Sequence, residues 1–111
     1  ERIQARKYLV KLETDSHIVK PFRSVEAINE EAKIMHHCIN SYTKQYAKGE
    51  KDLYSVQTHQ GEHIATLEMD PETRKYVQCR GRFNKPMQNK LSYLIKLMED
   101  SYKSLPEEVL Y

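Results

Sequence analysis

The chain has 111 residues and a mass of 13.2 kDa, enough for one domain of ordinary size and too little for two. With 39% hydrophobic residues, 3 Gly, 4 Pro and no apolar run near the ~18 residues of a membrane span, the composition excludes collagen-like and membrane-spanning classes. Lys and Arg number 18 against 16 Asp and Glu, so the net charge of +2 does not by itself mark a nucleic-acid binder, and any basic surface must be local.

The first thirteen residues, ERIQARKYLVKLE, place Ile3, Tyr8, Leu9 and Leu12 among charges at partly helical spacing and predict an amphipathic helix. TDSHIVKPF follows as a loop or short edge strand, because Pro21 donates no ladder bond and pushes its predecessor towards extended geometry. Ser24 then precedes VEAINEEAKIM, where Val25, Ile28, Ala32 and Met35 recur at three and four. A Ser hydroxyl there accepts an orphan N–H of the first turn, and Glu26 suits the helix dipole. The phase shifts at His36-His37-Cys38. Ile39, Tyr42 and Tyr46 predict a second helix near 39–48, ended by Gly49 and open to being continuous with the first.

After Gly49 the period becomes two. LYSVQT (53–58), HIATLEM (63–69) and KYVQCR (75–80) are separated by HQGE and DPETR, both rich in turn formers, and predict an antiparallel meander. MQNKLSYLIKLMEDSY (87–102) carries Met87, Leu91, Leu94, Ile95, Met98 and Tyr102 on one stripe and predicts a final amphipathic helix. The expected fold is α+β: a three-stranded antiparallel meander, with the helices before and after it packed on one face. Alternation puts Tyr54, Val56, Ala65, Leu67, Met69, Val77 and Cys79 on one side of the sheet. Leu53, Ser55, Gln57, Ile64, Thr66, Glu68, Tyr76, Gln78 and Arg80 fall on the other, which reads either as a solvated face or as a site.

Cys38 and Cys79 lie 41 residues apart with no CxxC partner, which builds neither a disulfide framework nor a zinc set and points to a reducing, cytoplasmic setting without membrane contact. Opening on Glu1 rather than Met, residues 1–111 read as a single domain cut from a longer chain.

MHHCINSYTKQYAKGEKDLY, the TLE of 66–68 and VQCRGRFNKP at 77–86 together resemble the PcfJ-like protein family of conjugative plasmids and bacterial viruses. The positions that carry the resemblance are His37, Cys38, Ile39, Tyr42, Gly49, Thr66, Leu67, Glu68, Gln78, Arg80, Gly81 and Asn84, with PFRSVEAINEEA at 21–32 resembling the lead-in. Gln57 departs from it, standing where the family often has Arg. The resemblance implies a mobile-element setting, with plasmid-transfer or phage proteins as partners, and no established reaction. Its polar members Thr66, Glu68, Gln78 and Arg80 coincide with the polar sheet face obtained from alternation.

Three chemistries compete for these residues. Zinc at His36, His37 and Cys38 is disfavoured because neighbours on a helix point about 100° apart, so no metal or other cofactor is expected. Catalysis would use Cys38 as nucleophile, or His37 and Glu68 as an acid/base pair, in a hydrolase or transferase. Binding is the leading expectation. CRGRFNKPMQNK sets Arg80, Arg82, Lys85 and Lys90 beside Phe83, with no acid among them and a helix start to follow. Arg80 and Arg82 would meet the phosphate of a nucleic acid or nucleotide, while Thr66, Gln78 and Asn84 orient it. A protein-interaction module using exposed tyrosines is the third reading.

Overall fold

The computed structural model describes residues 10–22, 24–37 and 43–105. The expected helix over 1–13 lies outside them except at its end, where Leu12–Glu13 is strand β1 rather than helix. β1 pairs with β2 (His17–Pro21), so the segment expected as a loop or edge strand is an inner strand; Pro21 is tolerated because it is the last residue of β2. Helices α1 (Val25–Met35) and α2 (Thr43–Ala47) come next, then β3 (Asp52–Thr58), β4 (His63–Met69) and β5 (Tyr76–Arg80), a 3-10 turn at Arg82–Asn84, and α3 (Ser92–Lys103). The sheet is therefore five-stranded and antiparallel, in the order β1-β2-β3-β4-β5, where three strands were expected.

The helix ends follow their local chemistry. Ser24 Oγ accepts the Ala27 N–H at 3.0 Å, and α1 stops at His36, whose backbone is left-handed (φ 53°), so α1 is not continuous with α2. Gly49, at φ 79°, ends α2, and the Glu50 N–H turns back to the Gln45 carbonyl at 2.8 Å. The last helix begins at Ser92 rather than 87, with no side-chain cap, which separates its first turn from the 80–85 loop. The Tyr102 carbonyl in its last turn and the Leu105 carbonyl just beyond its end accept from the Arg74 guanidinium. No helix among the described residues is long and apolar enough to cross a membrane.

The helices do not share one face, as had been expected. Leu91, Leu94, Met98 and Tyr102 of the α3 segment pack on Val19, Tyr54, Val56, Ala65, Leu67, Met69 and Cys79. On the opposite side Ile28 and Ala32 of α1 and Tyr46 of α2 pack with Phe22 and Leu53. The sheet is thus the middle of three layers, and the face rich in polar residues lies under α1.

Two bulges amend the face assignment. The β3–β4 register shifts between Val56 and Gln57, so Ile64 is the extra residue: it packs towards the α3 core, and His63 comes opposite Gln57. A second shift, between Glu68 and Met69, pairs Met69 with Tyr76, places Tyr76 against the α3 core and leaves Val77 46% exposed. Ile64 and Tyr76, expected on the polar face, are therefore on the apolar one.

Candidate functional site

The polar face centres on a residue that periodicity had not singled out. Glu31, one helical step from Ala32 on the inward side of α1, is 1% exposed. Its Oε1 accepts from Ser55 Oγ at 3.1 Å and lies 2.5 Å from His63 Nδ1; its Oε2 accepts from Thr66 Oγ1 at 2.6 Å. A carboxylate only accepts, so His63 carries its proton on Nδ1 and Ser55 and Thr66 spend their single hydroxyl protons on Glu31. Thr66 must then accept from His37 Nε2, 2.8 Å away, and Ser55 must accept from Gln57 Nε2 at 2.9 Å. The directions of the whole network follow from one buried charge.

Burial dominates the titration of His37 and lowers its pKa from 6.5, against a backbone hydrogen bond and the Glu31 charge, which raise it. The ring is held neutral, as a donor to Thr66. Cys79, on the other face, is buried and its thiol is pushed up to about 12, which makes it inert.

A second chain of bonds runs along the same face. Glu68, 3% exposed, accepts from Lys51 Nζ at 3.0 Å and from Gln78 Nε2 at 2.8 Å. Gln78 Oε1 in turn receives Arg80 Nε at 3.5 Å, and Arg80 Nη1 reaches the Asn84 carbonyl at 3.5 Å. Thr66 and Arg80 are direct cross-strand partners. Thr66, Glu68, Gln78 and Arg80 are therefore neighbours on one face, as alternation requires, and His37 joins them through Thr66. The Cys38 side of the expected catalytic set lies outside the described residues.

The 80–85 loop meets the C-terminal end of α1. Arg82 Nη1 donates to the Ile34 carbonyl at 2.9 Å, so one guanidinium donor caps that helix rather than awaiting a ligand. Gly81 starts the loop where a Cβ would stand 2.9 Å from Met87 Cγ and 3.2 Å from the Ile64 carbonyl oxygen, so the backbone runs close over β4. Phe83 and Asn84 are both left-handed, at φ 55° and 63°. For a Phe this costs about 1–3 kcal/mol, and it presents the ring to solvent at 66% exposure. The ring stacks on His36, with centroids 5.0 Å apart and planes inclined by 6°. Arg80, Arg82 and Lys85 flank Phe83 along the chain, and none makes an ion pair among the described residues. Asn84 is exposed and engages Arg80 through its backbone, not its side chain.

Sequence reasoning missed Glu31, the bond of His63 to it, and the His36–Phe83 stack. An acid in phase with Ile28 and Met35 was the available signal for Glu31; the bulge at Ile64 concealed His63. Among the described residues no group of three or more His, Cys, Asp or Glu is placed to hold a metal ion.

A family model described as PcfJ-like protein matches residues 1–95. No curated protein and no solved structure matches the chain.

Proposed function

As the chain belongs to the PcfJ-like protein family, we propose that its domain binds a phosphate-bearing ligand, single-stranded nucleic acid or a nucleotide, on the surface formed by the 80–85 loop and the end of α1. The observation that carries this reading is the open, stacked His36–Phe83 pair on a segment, 80–85, that bears three cationic side chains without carboxylate partners among the described residues. An aromatic face takes up a base with little regard to sequence, and guanidinium groups hold phosphate. Within this site Arg80, and the donors of Arg82 not used on Ile34, meet phosphate. Gln78, fixed by Glu68, orients Arg80. Thr66 and His37 act from beneath by fixing the end of α1, rather than by touching ligand. A plasmid-transfer or phage setting, implied by the resemblance, supplies single-stranded ligands of this kind.

Fluorescence anisotropy with a labelled single-stranded oligonucleotide tests the reading. Three phosphate contacts give a slope of about −2 for log K against log salt. Phe83→Ala, which leaves every charge in place, weakens binding about tenfold or more. Arg80→Ala flattens the salt slope. Binding indifferent to salt and to Phe83→Ala would refute the assignment.

A further inference from the structure

The phosphate-binding surface makes no use of a cavity of about 340 Å³ near the start of α1, over β2, β3 and β4. One wall is apolar, from Pro21, Phe22 and Ala27. Its polar lining includes Gln57 and His63, which are cross-strand partners and so project side by side. Gln57 is 9% exposed, and its amide is only partly satisfied. One N–H goes to Ser55, whose own proton is committed to Glu31, and this fixes which way round the amide sits. Gln57 Oε1 and the second N–H have no partner among the described residues, and nor does His63 Nε2, whose ring is oriented through Nδ1 by Glu31. A buried amide left half-paired costs about 1–3 kcal/mol unless something completes it. Lys20 and Glu30, both exposed, line the same cavity.

We propose that this cavity is a nucleobase pocket selective for adenine. Its volume is at the low end of ligand cavities, about 300–1,000 Å³, and suits one heterocycle rather than a longer molecule. A half-free amide offers one acceptor beside one donor, the pattern that reads adenine through its N6 amino group and an adjacent ring nitrogen. The second N6 hydrogen is matched by the lone pair of His63 Nε2. The Pro21, Phe22 and Ala27 wall accepts the flat ring face. Glu30 is suited to accept from ribose hydroxyls and Lys20 to meet a 5′-phosphate. A base with a carbonyl at position 6 sets its oxygen against two acceptors, Gln57 Oε1 and His63 Nε2, and is rejected by repulsion as well as by lost bonds. Neither site requires the other, because the cavity lining and the 80–85 loop share no residue.

Titration of the 15N-labelled chain with adenosine, inosine and AMP, followed by amide chemical shifts, separates the two. Adenosine carries no phosphate, so failure of oligonucleotide binding at the loop leaves this measurement intact. Adenosine is expected to shift the amides around Gln57 and His63, and inosine to bind at least about tenfold more weakly. Gln57→Leu removes that discrimination. Should that variant not fold, Lys20→Ala, an exposed substitution, is expected to lower AMP affinity more than adenosine affinity. Equal affinities for adenosine and inosine, or shifts confined to the 80–85 loop, or none at millimolar adenosine, would overturn the assignment.

Discussion

The two faces of the sheet are covered in different ways. Under α3 the side chains are apolar apart from one short chain of bonds: Tyr54 OH lies 2.5 Å from Tyr102 OH, which donates to Asp52 Oδ2 at 2.6 Å. Under α1 the apolar cluster is Ile28, Ala32, Tyr46, Phe22 and Leu53 with Ala27 against it, and beside it lie the buried Glu31, Ser55, Thr66 and Gln57 and the half-buried His63. Both faces are buried; among the described residues the α3 face holds a single buried carboxylate, Asp52, whereas the α1 face holds Glu31 and Glu68 within a wider set of buried polar groups. A buried carboxylate held by hydrogen bonds is rarely the most stable filling for its space, since well-packed apolar residues of the same volume do as well or better. The larger apolar cluster lies under α3 and supplies most of the hydrophobic burial, while the polar groups under α1 hold side chains in place: Glu31 orients His63, which lines the cavity, and Thr66 accepts from His37.

The strongest way to break this comparison acts on Glu31. Glu31→Ala strands the donors of Ser55, His63 and Thr66 and is expected to cost about 3–5 kcal/mol, read from urea denaturation. Replacing the network as a whole, with Glu31→Leu, Ser55→Ala, Thr66→Val and His63→Leu together, is expected to recover most of that loss while abolishing adenosine binding. A fourfold variant as unstable as Glu31→Ala would show that the network is structural after all.

On the α3 face, Tyr102→Phe sharpens the contrast at smaller scale. It keeps the ring among Leu94, Met98 and Tyr54 and removes the hydroxyl that donates to Asp52 and accepts from Tyr54, at an expected cost of about 1–3 kcal/mol. Burial, with Tyr54 and Asp52 close by, already raises the Tyr102 pKa, so the phenol stays protonated through any practical pH range. The variant is therefore expected to show the same deficit from pH 6 to pH 9, measured by thermal or urea unfolding. A deficit that vanished at the alkaline end would mean that the phenol ionises there.

The contrast also explains what could be read from the residues alone. Period-two alternation separated Tyr54, Val56 and Leu67 from Ser55, Thr66 and Glu68, because strand geometry sends neighbours to opposite faces whatever covers them. It failed at Ile64 and Tyr76, since a bulge adds one residue and inverts parity without altering composition. It also gave no sign of which face was covered. A polar face looks the same in sequence whether it meets water or a helix carrying a matching carboxylate, and only Glu31 in phase with Ile28 pointed to the second. β1 was hidden by the helical spacing of residues 1–13, and β2 was expected as no more than a loop or edge strand because Pro21 argues against a strand interior, although it is the last residue of its strand. The loop at 80–85 was legible as basic and aromatic, but its stack on His36 depends on three left-handed residues, His36, Phe83 and Asn84, which no periodicity encodes.

The smallest effect expected concerns His37. Its pKa in the folded chain lies below the ordinary 6.5, chiefly because burial disfavours the charged ring. The unfolded chain therefore binds a proton first as the solution is acidified. The stability associated with keeping His37 neutral is complete above about pH 6.5 and declines as pH falls from there towards the folded-state value. His37→Gln keeps a donor near Thr66 and removes the titration, so its unfolding free energy is expected to fall less steeply between pH 7 and pH 5 than that of the parent chain. Carboxylates contribute alike to both curves, and the difference isolates the ring. A slope unchanged by the substitution would mean that His37 takes up its proton as readily folded as unfolded, with its backbone hydrogen bond and the Glu31 charge offsetting the effect of burial in full.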